Sequence, residues 1–210
     1  MNLLEMVERV QSDVGDLSEA HITKPDIVAW LNEGQLQIAR LTSFPEGFQT
    51  YATDTTKTEY DLPDDIVYLR QVQFENGMFP EKIEFERLPQ LGATDPSSGS
   101  SNTDPKFYYI LNRKLKFYPM AYTGKNFNII YSRRPAIMIE DVDVPELPIS
   151  VHNDILIYAK QRAMEMQEEL NNAQYYAGQF TVAGAMSHYE IRHEADPHYP
   201  IIGCIDDYDT

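Results

Sequence analysis

One cysteine, Cys204, stands in 210 residues. A lone thiol excludes an intrachain disulfide framework and suits a chain made and kept in a reducing cytoplasm. Long apolar runs are missing too: none approaches the ~20 residues that cross a bilayer as a helix, so no membrane association is expected. Nor is an export signal read at the start. Glu5 and Glu8 break the apolar pattern of MNLLEMVERV, where a signal peptide has a basic start and an uninterrupted apolar middle. Basic residues are scarce: 17 Lys and Arg against 33 Asp and Glu, a formal net charge of −16. A groove that grips nucleic acid needs clustered cations to neutralise phosphates, and this balance argues against one. It remains compatible with DNA that passes without sticking; otherwise the acid serves solubility.

Catalytic signatures are equally sparse. There is no Gly-x-Ser-x-Gly, no His-Glu-x-x-His and no Rossmann glycine fingerprint. Residues 92–105, GATDPSSGSSNTDP, lack a Gly-Lys-Ser/Thr and a following helix, so they read as a mobile loop rather than a phosphate cradle. His188, His193 and His198 recur at intervals of five near Asp196 and Cys204. A metal needs ligands that converge, and a helical step of five turns neighbours about 140° apart; solvated histidines are the expectation. Asp64-Asp65 and Glu84-Glu86 resemble the paired carboxylates of a glycosidase, but turn and strand-edge positions explain both in so acidic a chain. Cys204 has no identifiable orienting base. No enzyme activity and no cofactor are expected.

What is present is a foldable chain, 42% apolar and 11% aromatic, long enough for one sizeable core or a core plus an inserted subdomain. Leu3, Val7, Val10 and Val14 mark a helix over residues 3–14, ended by Gly15-Asp16. Pro25 opens a second helix to about Arg40, with Ile27, Leu31 and Ile38 on one side and Val28 and Trp30 widening the face. Gly34 inside it signals either close backbone approach or simple tolerance. From Phe48 the period changes to that of strands. TYATD, TEYDLP and IVYLRQVQF lead to Asn76-Gly77, a hairpin signal with Pro80–Phe85 as the returning strand. Glu86–Leu91 suits a helical turn. KFYYIL and KLKFYPM flank Asn112-Arg113, Gly124-Lys125 turns, and NFNIIYSRRP follows. Six to eight strands are thus expected, as a small sandwich or barrel.

The chain is organised around residues 146–180. Pro148 and Ser150 open a helix whose stripe is Leu156, Ala159, Ala163, Met166 and Leu170. Asn171-Asn172 interrupts it, and a second helix starts near Ala173. This second helix has two apolar faces, one with Tyr176, Phe180 and Ala183, the other with Tyr175, Val182 and Met186. A helix apolar on two sides belongs in a bundle or keeps one face for a partner. Residues 191–210 lose the helical period but hold an apolar patch, Tyr199, Ile201, Ile202 and Ile205, which docks on a partner or on its own domain. Arg133-Arg134-Pro135 is the compact basic spot, a surface strand end or a contact for an acidic neighbouring subunit. The fold expected is α+β: about four bundled helices from both chain ends (1–46 and 146–190), an inserted antiparallel β subdomain (47–145) and a tail (191–210).

In order, the phrases TEYDLPDDIVYLRQVQFENG, KFYYILNRKLKFYP, NIIYSRRPAIM and VPELPISVHNDILIYAKQRAMEMQEELNNAQYYAGQF carry a resemblance. They resemble, over about residues 5–190, the head-to-tail adaptor (connector or neck) proteins of tailed bacteriophages. The similarity is to the group below the portal in short-tailed phages that includes tail tubular protein A. The resemblance implies a structural protein of the virion neck. Family members form a twelve-subunit ring beneath the portal that extends the DNA channel, helps retain the genome and carries tail nozzle and fibre proteins. It also implies a helical ring body and a C-terminal segment reaching the portal, so Tyr199, Ile201, Ile202 and Ile205 become candidate portal contacts. Candidate subunit contacts are Tyr175, Val182, Met186, Arg133 and Arg134. The rival from another class is a glycan-binding or glycan-cleaving β module carried on helices.

Overall fold

A computed structural model describes residues 1–15, 21–54, 57–91, 105–119 and 125–195, with backbone alone for 89–91 and 185–195. The fold is α+β. Four helices and seven strands are described, in the order α1 (Leu3–Val14), α2 (Lys24–Thr42), β1 (Glu46–Ala52), β2 (Tyr60–Asp61), β3 (Ile66–Phe74), β4 (Glu81–Lys82), β5 (Phe107–Leu111), β6 (Lys114–Tyr118), β7 (Asn126–Arg133), α3 (His152–Met166) and α4 (Leu170–Ala195). The chain divides into two compact units, Met1–Phe44 with Pro135–Thr210, and Pro45–Arg134. Residues 135–145 therefore group with the helices, not with the strands as the sequence suggests. The reason is local: Met138 is buried in the helical core, and its backbone is gripped on both sides by the Asn32 amide.

Helix ends follow side-chain chemistry. Asn2 and Glu5 form a reciprocal capping box at the start of α1, and Gly15 closes it at φ +77°, a conformation glycine adopts without strain. Thr23 and Asp26 box the start of α2, with Pro25 in its first turn. The Thr23 hydroxyl and backbone N–H, both donating to Asp26, hold that carboxyl below its usual range. The core gathers Leu3, Met6, Val10, Ile27, Leu31, Ile38, Ile155, Leu156, Ala159 and Ala163. Gly34 is where α3 comes closest: an added Cβ would lie 3.1 Å from Tyr158 Cβ and 3.3 Å from the Ile155 carbonyl. Close approach, not tolerance, explains this glycine.

Two expectations for the helix pair are corrected. Leu156, Ala159 and Ala163 are fully buried, but Met166 and Leu170 are 52% and 66% exposed. The stripe stops because α3 ends at Met166 and the chain reverses through Gln167–Glu169, with Glu168 at φ +60°. Ile155 and Met164 complete the buried face instead. Asn171-Asn172 is no interruption; both lie in the first turn of α4, where Asn172 Nδ2 donates to Glu169 Oε2 at 2.5 Å.

The β unit has two sheets, β1-β7-β3 and β2-β6-β5-β4. They share one core, with Phe127 of β7 at its centre, 4.9 Å from the rings of Tyr60 and Phe117 and 5.2 Å from Tyr51. This is a sandwich rather than a closed barrel. Phe127, Ile129 and Tyr131 alternate inward along β7. In β3 a register shift between Leu69 and Gln71 resets the alternation, so Leu69, Val72 and Phe74 all reach the core. Asn112 and Arg113, both at positive φ, make the two-residue turn from β5 to β6. The Asn76-Gly77 hairpin is corrected. Gly77 does turn, at φ +81°, but the returning strand is only Glu81–Lys82 and pairs in parallel with β5. Pro80 has no N–H to give an antiparallel ladder, so pairing with β3 is cut off at its start. The 92–104 loop and Gly124 lie outside the described residues.

Candidate interaction surfaces

Two apolar surfaces stand on the helical unit. The first is an open groove of about 640 Å³ between α3 and α4, lined by Ile157, Tyr175, Gly178 and Val182 among others. Phe180 turns toward the bundle, packing on Tyr158 at 5.2 Å between rings, and Tyr176 is half-buried. This leaves Tyr175 and Val182 outward, 62% and 57% exposed. They are seven residues apart, two helical turns, and so share a face. The Tyr175 hydroxyl accepts from Gln179 Nε2 at 2.7 Å, which fixes the ring at the groove wall. Asp154 is the sole carboxylate among the lining residues, which otherwise offer the amides of Asn153, Gln174 and Gln179.

The second surface is a strip on the link before α3, a segment whose composition is that of an acidic return. Ile137, Ile139, Val142, Val144 and Ile149 point outward, between 56% and 79% exposed. Of their acidic neighbours Glu140 is exposed, while three others are held by the chain's own groups. The Asp143 carboxylate accepts from the N–H groups of Ile139 (2.7 Å) and Glu140 (2.8 Å), which hold it below the usual carboxylate range. Asp141 pairs with Lys24 at 2.7 Å, and Glu146 accepts from the Ala136 N–H at 2.8 Å. The backbone is pinned as well. Leu3 and Leu4 donate to the carbonyls of Asp143 and Asp141, and Gln35 Nε2 donates to the Ala136 carbonyl at 2.8 Å. Polar bonds, several of them exposed, hold the segment, and the apolar side chains are left facing solvent. The sequence signal was the alternation of Ile137 and Ile139 about Met138.

Behind the link, His152 is buried, with Nε2 at 3.0 Å from the Leu147 carbonyl and Nδ1 at 3.3 Å from the Met1 amino nitrogen. Burial pushes its pKa below the ordinary histidine value, against the pull of the Leu147 carbonyl.

The remaining candidates scatter. Arg133 ends β7 and Arg134 follows it, its N–H donating to the Asp65 carbonyl at 2.7 Å; both belong to the β unit, apart from Tyr175 and Val182 in sequence and unit. The side chains of Met186, His188 and His193 lie outside the described residues, as do Asp196, His198, Tyr199, Ile201, Ile202, Cys204 and Ile205. Asp64 pairs with Arg113 at 3.6 Å, and Asp65 accepts from the Tyr131 hydroxyl at 3.3 Å, so both serve the turn before β3. Among the described residues no three His, Cys, Asp or Glu side chains converge as metal ligands, and no helix is long and apolar enough to cross a membrane. A search of curated proteins finds no match. Residues 1–199, however, match the profile of the SU10 adaptor protein family. The chain belongs to that family, in keeping with the phage head-to-tail adaptor likeness of its ordered phrases.

Proposed function

We propose that the protein is a structural component of the virion neck of a tailed phage, not an enzyme. Made in the host cytoplasm, it assembles beneath the portal as a ring, of twelve copies as the resemblance to head-to-tail adaptors implies. The ring extends the DNA channel, helps retain the genome and carries nozzle or fibre proteins. The observation that carries this reading is the pair of separate apolar surfaces on one helical unit, in a chain whose family is one of adaptors. Two different patches suit heterologous contacts, which close into rings. The net charge of −16 suits a bore along which phosphates slide without sticking. Tyr175, Val182 and Met186 serve contact between copies, Arg133 and Arg134 meet an acidic neighbour, and the tail with Tyr199, Ile201, Ile202 and Ile205 docks on the portal.

The second reading, a glycan-binding or glycan-cleaving module, draws on the exposed Phe48 and Tyr68 of the β unit, which serve a tail protein equally well. Native mass spectrometry and electron microscopy of the protein, alone and with its portal, separate the two. A ring or a portal complex is expected, weakened when residues 191–210 are removed. No ring and no portal binding under either condition would sink the adaptor reading.

A further inference from the structure

Of the chain's asparagines, Asn76 alone is followed by glycine. The pair lies in the turn that follows β3, and both residues are exposed. Three hydrogen bonds shape that turn. The Phe74 N–H donates to the Met78 carbonyl at 2.9 Å, the Gly77 N–H to the Phe74 carbonyl at 2.9 Å, and the Met78 N–H to Asn76 Oδ1 at 3.2 Å. Phe74, at the end of β3, is buried in the sandwich core.

The third bond also prepares a reaction. Asparagine is chemically labile, most so where the next residue leaves its nitrogen uncrowded. Gly77 has no Cβ to shield that nitrogen. A side-chain carbonyl held by the N–H two residues on folds back over the peptide between them. Asn76 Cγ is thereby kept beside the Gly77 nitrogen, with which it can close a five-membered ring. The Met78 N–H polarises the carbonyl and faces the oxygen on which negative charge develops under attack. One bond opposes the reaction, because the Gly77 N–H must leave the Phe74 carbonyl before its proton is lost. A single hydrogen bond in an exposed turn is a modest restraint, since water replaces it.

We propose that Asn76 is a spontaneous modification site, converted by water to aspartate and isoaspartate through a cyclic imide with Gly77. A solvent base removes the Gly77 amide proton. The nitrogen lone pair bonds Asn76 Cγ, the Cγ–Nδ2 bond breaks, and Nδ2 takes up a proton and leaves as ammonia. Water then adds to one imide carbonyl, the C–N bond there breaks, and the nitrogen regains a proton. Opening at Cγ gives aspartate. Opening at the main-chain carbonyl gives isoaspartate, whose main chain runs through the side chain and is one methylene longer. Either product puts a new negative charge beside Glu75. Aspartate keeps an oxygen for the Met78 N–H, whereas the longer isoaspartate main chain breaks the spacing of all three bonds and loosens the end of β3.

Ageing the full-length protein in warm, mildly alkaline buffer tests this. Trypsin releases peptide 71–82, in which Asn76 is the only asparagine. Against an unaged control it should gain about one dalton and split into two products, sooner than any other asparagine-bearing peptide and faster as pH rises. Gly77→Ala should slow the conversion by about tenfold or more. Asn76→Gln, which would have to close a larger ring, should slow it at least as much with Gly77 in place. Asn76→Asp should melt with the parent, and the separated isoaspartate form below it. The proposal falls if peptide 71–82 converts readily when free but, in the folded protein, no faster than the other asparagine peptides. Conversion undiminished in both Gly77→Ala and Asn76→Gln would also overturn it.

Discussion

At the scale of single residues, the fold is decided where a side chain has no room to be different. Gly47 of β1 faces Tyr131 of β7 directly across the ladder. A Cβ there would lie 2.4 Å from Tyr131 Cζ and under 3 Å from both neighbouring ring carbons. The ring lies over the glycine backbone, and its hydroxyl donates to Asp65 at 3.3 Å. Gly47→Ala must therefore push the ring out of the sandwich core or shift β1, at a cost of about 1–3 kcal/mol, typical of overpacking. Urea denaturation would measure it. With Tyr131→Ala in the same chain, the two losses should sum to clearly more than the double mutant shows, because the clash needs both partners. Additive losses would mean that the strand, not the ring, responds. Gly47 follows Pro45-Glu46, where a glycine reads as a turn residue. Its role depends on a partner 84 positions away, and no local pattern carries that.

At the scale of elements, periodicity was a good guide until a helix ended without punctuation. The spacing of Leu156, Ala159 and Ala163 marks the buried face of α3 correctly. The same spacing continued to Met166 and Leu170, because Gln167-Glu168-Glu169 contains neither glycine nor proline to announce the reversal that Glu168 makes at φ +60°. A residue with a Cβ rarely adopts that conformation, and here packing of α3 on α4 decides the matter. The consequence is measurable. Leu156→Ala should lose about 2–5 kcal/mol in chemical denaturation, as buried leucines do. Met166→Ala and Leu170→Ala should each stay within about 0.5 kcal/mol of the parent. Equal losses at all three would restore the longer stripe. Of the candidate surfaces, the outward face of α4 was legible because Tyr175 and Val182 repeat at two helical turns. The strip at 137–149 was not. Its composition says acidic linker, and only contacts from Asn32 and Gln35, a hundred residues earlier in the chain, decide which of its side chains face out.

At the scale of the whole molecule, charge and apolar surface pull association in opposite directions, and salt separates them. Every copy carries −16, so bringing copies together concentrates negative charge. The surfaces that the helical unit exposes for contact, the outward face of α4 and the strip at 137–149, are rich in apolar side chains. Screening then removes repulsion without weakening the attraction, since the Debye length falls from about 10 Å at 0.1 M salt to about 3 Å at 1 M. Assembly should accordingly strengthen as sodium chloride is raised from about 0.05 to 0.5 M, in the range where exposed charges are progressively screened. Sedimentation velocity at fixed protein concentration would follow it. The alternative contact, Arg133 and Arg134 against an acidic neighbour, depends on attraction between exposed charges and carries the opposite sign: rings held that way should loosen over the same range. A strengthening with salt that survives neutralisation of Arg133 and Arg134 would assign the holding force to apolar surface. A weakening with salt would move it to the arginines.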